Sequence, residues 1–297
     1  MKTLIIKLGA TGDVVRTTTL LHILRGEVLW LTADHNAGLL SDLPGIEQCK
    51  CIPWSRRQEI HGISFDLVIN LEDSLDTGEI LNEITFGKVF GAYINTDGAL
   101  TYTADSSQWF DISLISKYGK ARADELKLEN RQTYQKMIFQ GIGRKFCGEP
   151  YLLPDTNKGE LSGDIAVAPK SGSVWPMKNW AYFEDLVKKL RNDGYAVNYL
   201  PNRDTILEHI ADIRNHKYLI SGDSLPMHIA MGSGIKCLTI FICTSPWEIY
   251  DYGLQKKIVS PNLNKYFYRR DFDPEAVTSI SLDEVYETVI SHMGERD

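Results

Sequence analysis

The residues near the start of the chain could carry out proton transfer. An apolar run at 4–8 leads into Gly9-Ala10-Thr11-Gly12-Asp13, and a helical pattern follows. A buried strand, a tight glycine turn and a helix start are typical of the opening of a Rossmann-like α/β domain. Asp13 is then expected at or near the first turn of the helix, at the carboxyl edge of the sheet, where such domains bind ligands. A carboxylate there could act as a general base, or it could only cap its helix.

The glycine spacing of this turn differs from two common phosphate-binding motifs. It is neither G-x-G-x-x-G nor G-x-x-x-x-G-K-[ST], because Arg16 and Thr17 come too late. Asp34 has about the spacing of a ribose-binding acid, but the glycines of a dinucleotide site do not accompany it. A nicotinamide-dependent oxidoreductase is therefore kept as the alternative function.

A second candidate site follows the first strand of the C-terminal half. Ser171, Gly172 and Ser173 come directly after that strand, and Lys178 stands shortly before a helix. Backbone amides, hydroxyls and one positive charge near a helix N-terminus suit a diphosphate. We therefore expect these four residues to contact phosphate groups.

The segment 222–228, GDSLPMH, is expected to face the same site. Asp223 and Ser224 would lie at the N-cap of the helix that carries His228, and the free amides of its first turn would point toward a ligand. Two simpler interpretations stay open. Asp223 could only cap the helix, and His228 could be a buried, hydrogen-bonded structural histidine.

The elements that must position these residues alternate between strands and helices, which predicts doubly wound parallel sheets. The expected strands are 4–8, 28–32, 49–53, 65–71, 89–94, 165–168, 196–200, 218–221 and 237–242. The expected helices are 34–40, 76–86, 124–141, 180–190, 205–213, 227–232 and 281–293. A turn-rich stretch at 151–159 is the expected linker. It divides the chain into Rossmann-like domains at 1–157 and 158–297, for which packing of the terminal helix back on the first domain is a possible arrangement.

The bulk composition is that of a globular protein. Of the 297 residues, 43% are hydrophobic and 24% are charged, which are ordinary values. The net charge of −7 and the lack of a basic stripe argue against nucleic acid as a general partner. No apolar run approaches the roughly 20 residues that span a bilayer. We therefore expect no transmembrane segment, while peripheral membrane contact stays possible.

Cysteine usage predicts a reduced protein. The chain has five cysteines, too few and too scattered for a disulfide framework. Cys49-Lys50-Cys51 alternates like strand positions and lacks a Cys/His pair at zinc spacing, so no metal site is expected there. Because the N-terminus also lacks signal-peptide architecture, we expect a cytoplasmic protein.

Two further stretches have alternative interpretations. Tyr102, Trp109, Phe110 and Tyr118 lie among polar residues at 98–119, where aromatic side chains could stack on a sugar or form local cores. The tripeptide 271–273, Asp-Phe-Asp, has the form of a metal-binding D-x-D motif, and we interpret it as a chance match. No metal is therefore expected in the site.

Three motifs together resemble one enzyme family. LIIKLGATGDVVRTTTLLHIL is similar to the N-terminal signature of glycosyltransferase family 9, the ADP-heptose–lipopolysaccharide heptosyltransferases. ISGDSLPMHIAMGSGIKCLTIFICTSP is similar to the donor-site signature of that family, usually D-S-G-P-M-H-x-A, and WPMKNW resembles its K-x-W element. The motifs occur in the family order, and the resemblance covers most of the chain.

The resemblance implies a GT-B fold, two Rossmann-like domains that face each other across a cleft. It also implies an enzyme that transfers a heptose, or a related sugar, from an ADP-sugar to an acceptor hydroxyl with inversion and without a metal or cofactor. Asp13 would be the base and Lys178 would contact the donor phosphates. The residues implied to wrap the diphosphate and sugar are Asp223, Ser224, Leu225 and His228. Thr11, Gly12, Ser171, Gly172 and Ser173 complete the expected donor-binding set.

The sequence departs from the family pattern at two places. Leu225 stands where glycine is usual, and only one helix separates the strand at 196–200 from Gly222. Asn202 or Asp204 could reach the ribose from this short region. A glycan, a protein or a small molecule stays open as the acceptor, the oligomeric state is not indicated, and a non-catalytic nucleotide-sugar-binding subunit is a further alternative.

Overall fold

A computed structural model describes residues 1–157, 159–172 and 174–295 of the chain. The described chain divides into two compact units, Met1–Asp155 and Thr156–Asp297. Both units are α/β, and each is built on its own mainly parallel sheet.

The first unit has a six-stranded sheet in the order β3-β2-β1-β4-β5-β6. All neighbours are parallel except β5 and β6, which are antiparallel. The strands are β1 (Lys2–Ile6), β2 (Glu27–Thr32), β3 (Cys49–Pro53), β4 (Ser64–Asn70), β5 (Thr85–Ile94) and β6 (Leu100–Tyr102). The α-helices are α1 (Thr11–Thr17), α2 (Leu75–Glu79), α3 (Ser107–Phe110), α4 (Lys120–Glu129) and α5 (Tyr134–Gly141). This 3-2-1-4-5-6 order is the Rossmann order, so a ligand crevice is expected between the carboxyl ends of β1 and β4.

Several helices of the first unit are shorter than the sequence predicts. The predicted helix at 34–40 is a 3-10 helix, Asp34–Leu39, and that at 76–86 is α2 followed by the 3-10 helix Ile80–Glu83. Helix α1 also changes to 3-10 geometry, at Thr18–His22. The hydroxyls of Thr17, Thr18 and Thr19 donate to carbonyls three or four residues earlier. Such bonds compete with the regular α-helical ladder.

The single helix predicted at 124–141 is in fact two helices. The Asn130 side chain accepts from the Gln132 amide and donates to the Gln132 carbonyl, which turns the chain between α4 and α5. Thr133 then caps α5, because its hydroxyl accepts from the Lys136 N–H. The segment 98–119 is not wholly irregular either, since it contributes β6 to the sheet edge.

The second unit has a five-stranded parallel sheet in the order β11-β10-β9-β7-β8. Its strands are β7 (Gly163–Ala168), β8 (Val197–Tyr199), β9 (His216–Gly222), β10 (Lys236–Phe241) and β11 (Gln255–Val259). Its α-helices are α6 (Phe183–Asn192), α7 (Ile206–Arg214), α8 (Leu225–Gly232), α9 (Leu263–Tyr266), α10 (Pro274–Val277) and α11 (Leu282–Gly294). The order is 2-1-3-4-5 when counted within the unit, so its switch point lies between β7 and β9.

The core of the second unit explains two differences from the sequence prediction. Trp180 does not begin α6, because its ring is buried and its Nε1 donates to the Ile280 carbonyl 3.0 Å away. The strand predicted at 237–242 is not the last strand of the unit, because β11 follows it at the sheet edge. The lysines of β11 interrupt the apolar pattern by which a buried strand is predicted. Helix α11 buries Val285 and Val289 in this same core.

Candidate functional site

Asp13 lies in the first turn of α1, at the carboxyl end of β1. Ala10 is the N-cap residue, so Asp13 is the third residue of the helix and not its N-cap. The Asp13 backbone N–H donates to the Ala10 carbonyl at 2.8 Å. Thr11 and Gly12 form the two helical positions before Asp13, and both are partly exposed.

Two buried cations flank the Asp13 carboxylate. Arg16 Nη2 lies 2.9 Å from Oδ1, and Lys7 Nζ lies 3.9 Å from Oδ2. The side chains of the two cations are 8% and 6% exposed, whereas that of Asp13 is 29% exposed. Opposite charges at such distances favour the ionised carboxylate. The Asp13 carboxylate is therefore partly exposed to solvent, and two buried cations hold it in place.

Glu72 belongs to this cluster. It follows β4, across the switch point from β1, and its Oε1 accepts from Lys7 Nζ at 2.8 Å and from the Leu8 N–H at 2.8 Å. The Gly9 N–H lies 3.3 Å from the same oxygen, so Glu72 fixes the backbone that leads into the glycine turn. Burial opposes the charge on Lys7, but Asp13 and Glu72 outweigh it and raise the Lys7 pKa above its usual value. The polar end of a strongly apolar strand was the sequence signal for Glu72.

Tyr134 contacts Arg16 of this cluster and the neighbouring Thr17. The Arg16 guanidinium lies over its ring, 4.2 Å from the centroid, and its hydroxyl is 2.6 Å from the Thr17 Oγ1. Thr17 also donates to the Asp13 carbonyl at 2.6 Å. Burial raises the pKa of Tyr134 to about 12, so the phenol stays neutral. Through Tyr134, helix α5 thereby holds helix α1, which carries Asp13, in place.

Lys178 and Asp223 form the centre of a second cluster, in the second unit. Lys178 Nζ donates to Asp223 Oδ2 at 2.9 Å and to the Asp223 carbonyl at 2.8 Å. The two side chains are 14% and 16% exposed. Lys178 ends the 3-10 helix Pro176–Lys178 after β7, and Asp223 follows β9. The ion pair therefore bridges the switch point of the second sheet.

Thr244 completes this pair and was missed by sequence reasoning. It follows β10, and its Oγ1 donates to Asp223 Oδ2 at 2.7 Å. Burial would raise the Asp223 pKa, but Lys178, the Thr244 hydroxyl and His228 outweigh burial and lower it to about 2. Asp223 is therefore anionic at neutral pH. Its bonds to Lys178 and Thr244 also contradict the simpler interpretation that it only caps a helix.

Helix α8 begins directly beside this ion pair. Ser224 is its N-cap residue, as the sequence predicts, but the Ser224 hydroxyl makes no cap bond to the first turn. Leu225 is the first helical residue, and the Met227 N–H donates to the Ser224 carbonyl. His228, one turn into the helix, is only 5% exposed. The structure thus places Ser224, Leu225 and His228 on one element next to Asp223.

The loop after β7 approaches the same place. The Ser171 N–H donates to Asn179 Oδ1 at 2.7 Å, which folds the loop toward the 3-10 helix. A Cβ on Gly222 would lie 2.9 Å from the Lys178 carbonyl and 3.4 Å from Ser171 Oγ, so only glycine lets these segments meet. Gly172 is exposed beside Ser171. Ser173, a further predicted phosphate contact, lies outside the described residues.

Comparisons by sequence and by structure give different results. No family model matches the sequence, and no curated protein matches it. The crystal structure of a glycosyl transferase family 9 protein from Veillonella parvula has a TM-score of 0.66 at 14% identity, covering 98% of this chain and 97% of that one. The chain has the glycosyltransferase family 9 fold. This agreement confirms the resemblance at the level of the fold.

Two Escherichia coli heptosyltransferases share this family 9 fold. The structure of WaaC with ADP-2-deoxy-2-fluoro heptose has a TM-score of 0.60 at 12% identity, covering 98% of this chain and 99% of that one. ADP-heptose lps heptosyltransferase II has a TM-score of 0.60 at 14% identity, with coverages of 99% and 98%. The similarity therefore extends over both units.

The structure also accounts for the D-x-D tripeptide. Asp271 pairs with Arg269, and Asp273 accepts from the Glu275 N–H and from the Tyr266 hydroxyl at 3.0 Å. Both carboxylates thus have structural partners of their own. Across the described ranges, no group of three or more His, Cys, Asp or Glu side chains could hold a metal ion. Nor does any described helix combine the length and apolar character needed to cross a membrane.

Proposed function

We propose that this protein is an inverting glycosyltransferase of the GT-B type that transfers a heptose from ADP-heptose to an acceptor hydroxyl, without a metal or cofactor. The first unit would bind the acceptor and the second the nucleotide sugar. One observation carries the proposal: Lys178, Asp223 and the start of α8 meet at the switch point of the second sheet, where open α/β sheets bind ligands. The shared fold with ADP-heptose-dependent enzymes supports it.

The second cluster suits a diphosphate leaving group. An ammonium has three N–H donors, and the Lys178 bonds to Asp223 involve two of them. The remaining donor and the Leu225 N–H at the start of α8 would stabilise the charge that develops on the diphosphate as the anomeric C–O bond breaks. Pro226 has no N–H, and the Met227 N–H already donates to the Ser224 carbonyl. Asp223 and Thr244 would hold the lysine in place for this role.

The first cluster suits a base that deprotonates the acceptor. The acceptor oxygen would attack the anomeric carbon from the face opposite the diphosphate, its proton would pass to Asp13, and the nucleoside diphosphate would leave. A carboxylate can accept this proton as the new C–O bond forms. Lys7 and Arg16 would keep Asp13 ionised and oriented before the acceptor arrives.

A comparison of two variants tests the proposal. Asp13→Asn should abolish most transfer yet leave ADP-heptose binding unchanged, whereas Lys178→Ala should lower kcat by about 10² to 10³ and also weaken donor binding. Isothermal titration with ADP-heptose, ADP and NAD gives the affinities, and release of ADP gives the rate. Exposed Lys188→Ala on α6 is the matched lysine control.

Three results would contradict the proposal. Binding of NAD without binding of ADP or ADP-heptose would favour the oxidoreductase alternative. Donor binding without any transfer to a panel of glycan, peptide and small-molecule acceptors would favour a non-catalytic binding subunit. Full transfer activity in Asp13→Asn would remove the base from the mechanism.

A further inference from the structure

A pocket of about 530 Å³ lies within the first unit, apart from the two clusters described above. It is open to solvent and is lined by residues of the segment from α3 to Tyr118 and by residues from α4 to the start of α5. A pocket of this volume is within the usual range of small-molecule sites. The chemistry of the lining residues therefore determines which ligand the pocket suits.

The pocket lining combines apolar and polar side chains. Ile112, Leu126 and Met137 are its apolar members, and Tyr118 is 54% exposed. The polar lining groups are Gln108, Asp111, Arg122, Glu129, Asn130 and Gln132. Carboxylates accept hydrogen bonds, guanidinium groups donate them, and amides do both. Such a mixture of polar groups with apolar side chains matches a sugar ring, which has many hydroxyls and an apolar C–H face.

The charge of the lining favours a neutral ligand. Asp111 and Glu129 are acidic and Arg122 is basic, so the lining has a net charge of about −1 at neutral pH. Within the lining, Arg122 lies 3.6 Å from Glu129. The ionic neighbours outside the lining cancel each other: Lys117 lies 3.8 Å from Asp111, and Glu125 lies 2.8 Å from Arg122. A phosphate or carboxylate group would meet net repulsion here, whereas hydroxyl groups would find both acceptors and donors.

Two of the polar lining residues are fixed by contacts within the unit. Asp111 Oδ1 accepts from the Tyr102 hydroxyl at 2.6 Å, and the Tyr102 ring stacks on Phe110. Asn130 is held by its two bonds to the Gln132 backbone. A ligand would therefore find Asp111 and Asn130 already in place, which reduces the entropy lost on binding.

The pocket is connected to the Asp13 cluster through Tyr134. Met137 of the pocket lining lies one turn after Tyr134 on α5. Trp109, next to Gln108 of the pocket, packs edge-on against Tyr134 with ring centroids 4.8 Å apart. Arg16, which pairs with Asp13, lies over the ring of the same tyrosine. One aromatic side chain thus separates the pocket lining from the residues that hold the proposed base.

We propose that this pocket binds a neutral sugar ring of the acceptor, next to the ring that carries the reacting hydroxyl. The inference rests on the proposed function, which assigns the acceptor to the first unit. The acceptor would then be a glycan, or a glycoside with at least one uncharged sugar, and not a bare peptide.

Binding of simple sugars to the full chain tests this inference. The probes are the methyl glycosides of glucose, galactose, mannose and N-acetylglucosamine, with glucuronate as the anionic counterpart, followed by saturation-transfer NMR. We expect at least one neutral glycoside to bind, and more tightly than glucuronate. Glu129→Gln should weaken that binding about tenfold through the loss of a charged acceptor. Leu126→Trp should abolish it by filling the pocket.

Asp124→Asn is the matched control, because it makes the same carboxylate-to-amide change on α4 outside the pocket lining. It should bind the glycoside like the wild type. The inference is overturned if no neutral glycoside binds, if glucuronate binds more tightly than every neutral probe, or if Glu129→Gln and Leu126→Trp both bind normally.

Titration of the same variants with ADP-heptose separates this inference from the proposed function. Unchanged donor binding in Glu129→Gln and Leu126→Trp, together with weakened glycoside binding, supports both. Donor binding by the wild type without glycoside binding overturns the pocket alone. Glycoside binding without binding of ADP or ADP-heptose overturns the proposed function and its acceptor, and leaves a neutral-sugar pocket.

Discussion

The two units place charged clusters at equivalent positions but arrange the charges in opposite ways. Each cluster joins the loop after the first strand of its sheet to the loop across the switch point. In the first unit, two buried cations support the more exposed carboxylate of Asp13. In the second, the carboxylate of Asp223 and a threonine hydroxyl hold Lys178.

This difference shows that the sheet edge determines where a site lies, and the side chains determine its chemistry. A carboxylate that reaches solvent between cations can accept hydrogen bonds and a proton. A lysine anchored beside a helix N-terminus can stabilise an anion. The same α/β scaffold thus supports a proton-accepting cluster in one unit and an anion-stabilising cluster in the other.

The largest expected effect comes from removing the buried cation of the first cluster. Lys7→Met keeps the length of the side chain but leaves the Asp13 and Glu72 carboxylates without it. Breaking a buried ion pair in this way should lower the free energy of unfolding by about 3 to 5 kcal/mol. Urea unfolding of the full chain, followed by circular dichroism, measures the change.

A matched control is available on β3. Lys50 pairs with Glu59 at 3.7 Å, but the Lys50 side chain is 65% exposed. Lys50→Met should therefore lower the free energy of unfolding by at most about 1 kcal/mol. Adding Glu72→Gln to Lys7→Met should recover part of the loss, because one unpaired carboxylate is removed. Equal effects of Lys7→Met and Lys50→Met would contradict the electrostatic role given to Lys7.

A smaller effect should appear in the pH dependence of the second cluster. The Asp223 pKa is lowered from 3.8 to about 2 in the folded protein. Its stabilising contribution is therefore complete above the unfolded pKa and is lost as the pH falls through the folded one. The pKa shift corresponds to about 2 kcal/mol of unfolding free energy.

Asp223→Asn provides the reference for this measurement. The difference in unfolding free energy between the wild type and Asp223→Asn should fall by about 2 kcal/mol between pH 5 and pH 2. Urea titrations at several pH values measure it. A difference that stays constant over this range would mean that Asp223 is not held by Lys178 and Thr244 in solution.

The smallest effect concerns the helix that begins beside each cluster. Thr133 caps α5, which carries Tyr134, so Thr133→Ala should lower the unfolding free energy by about 1 kcal/mol. Ser224 makes no cap bond to α8, so Ser224→Ala should change it by less than about 0.5 kcal/mol. Thermal and urea unfolding can resolve this difference, and equal losses would show that Ser224 caps its helix in solution.

The amino-acid sequence was sufficient to predict most of the strands and the position of both clusters. Parallel strands that are buried on both faces appear as short apolar runs, such as those of β1, β4 and β10. The polar residues that follow them, including Asp13 and Asp223, necessarily lie at the carboxyl edge of the sheet. Local patterns therefore determined the fold class and the places where chemistry is possible.

Only the tertiary structure decided the partners of these residues. Lys7 meets Glu72 across 65 positions of sequence, and Thr244 meets Asp223 across 21. Such pairs depend on strand order, which apolar periodicity does not specify, because every buried parallel strand has a similar pattern. The break between α4 and α5 and the edge strand β11 were missed for a related reason. A side-chain bond to the backbone ended one predicted helix, and pairing with β10 stabilised a strand whose own sequence is mostly polar.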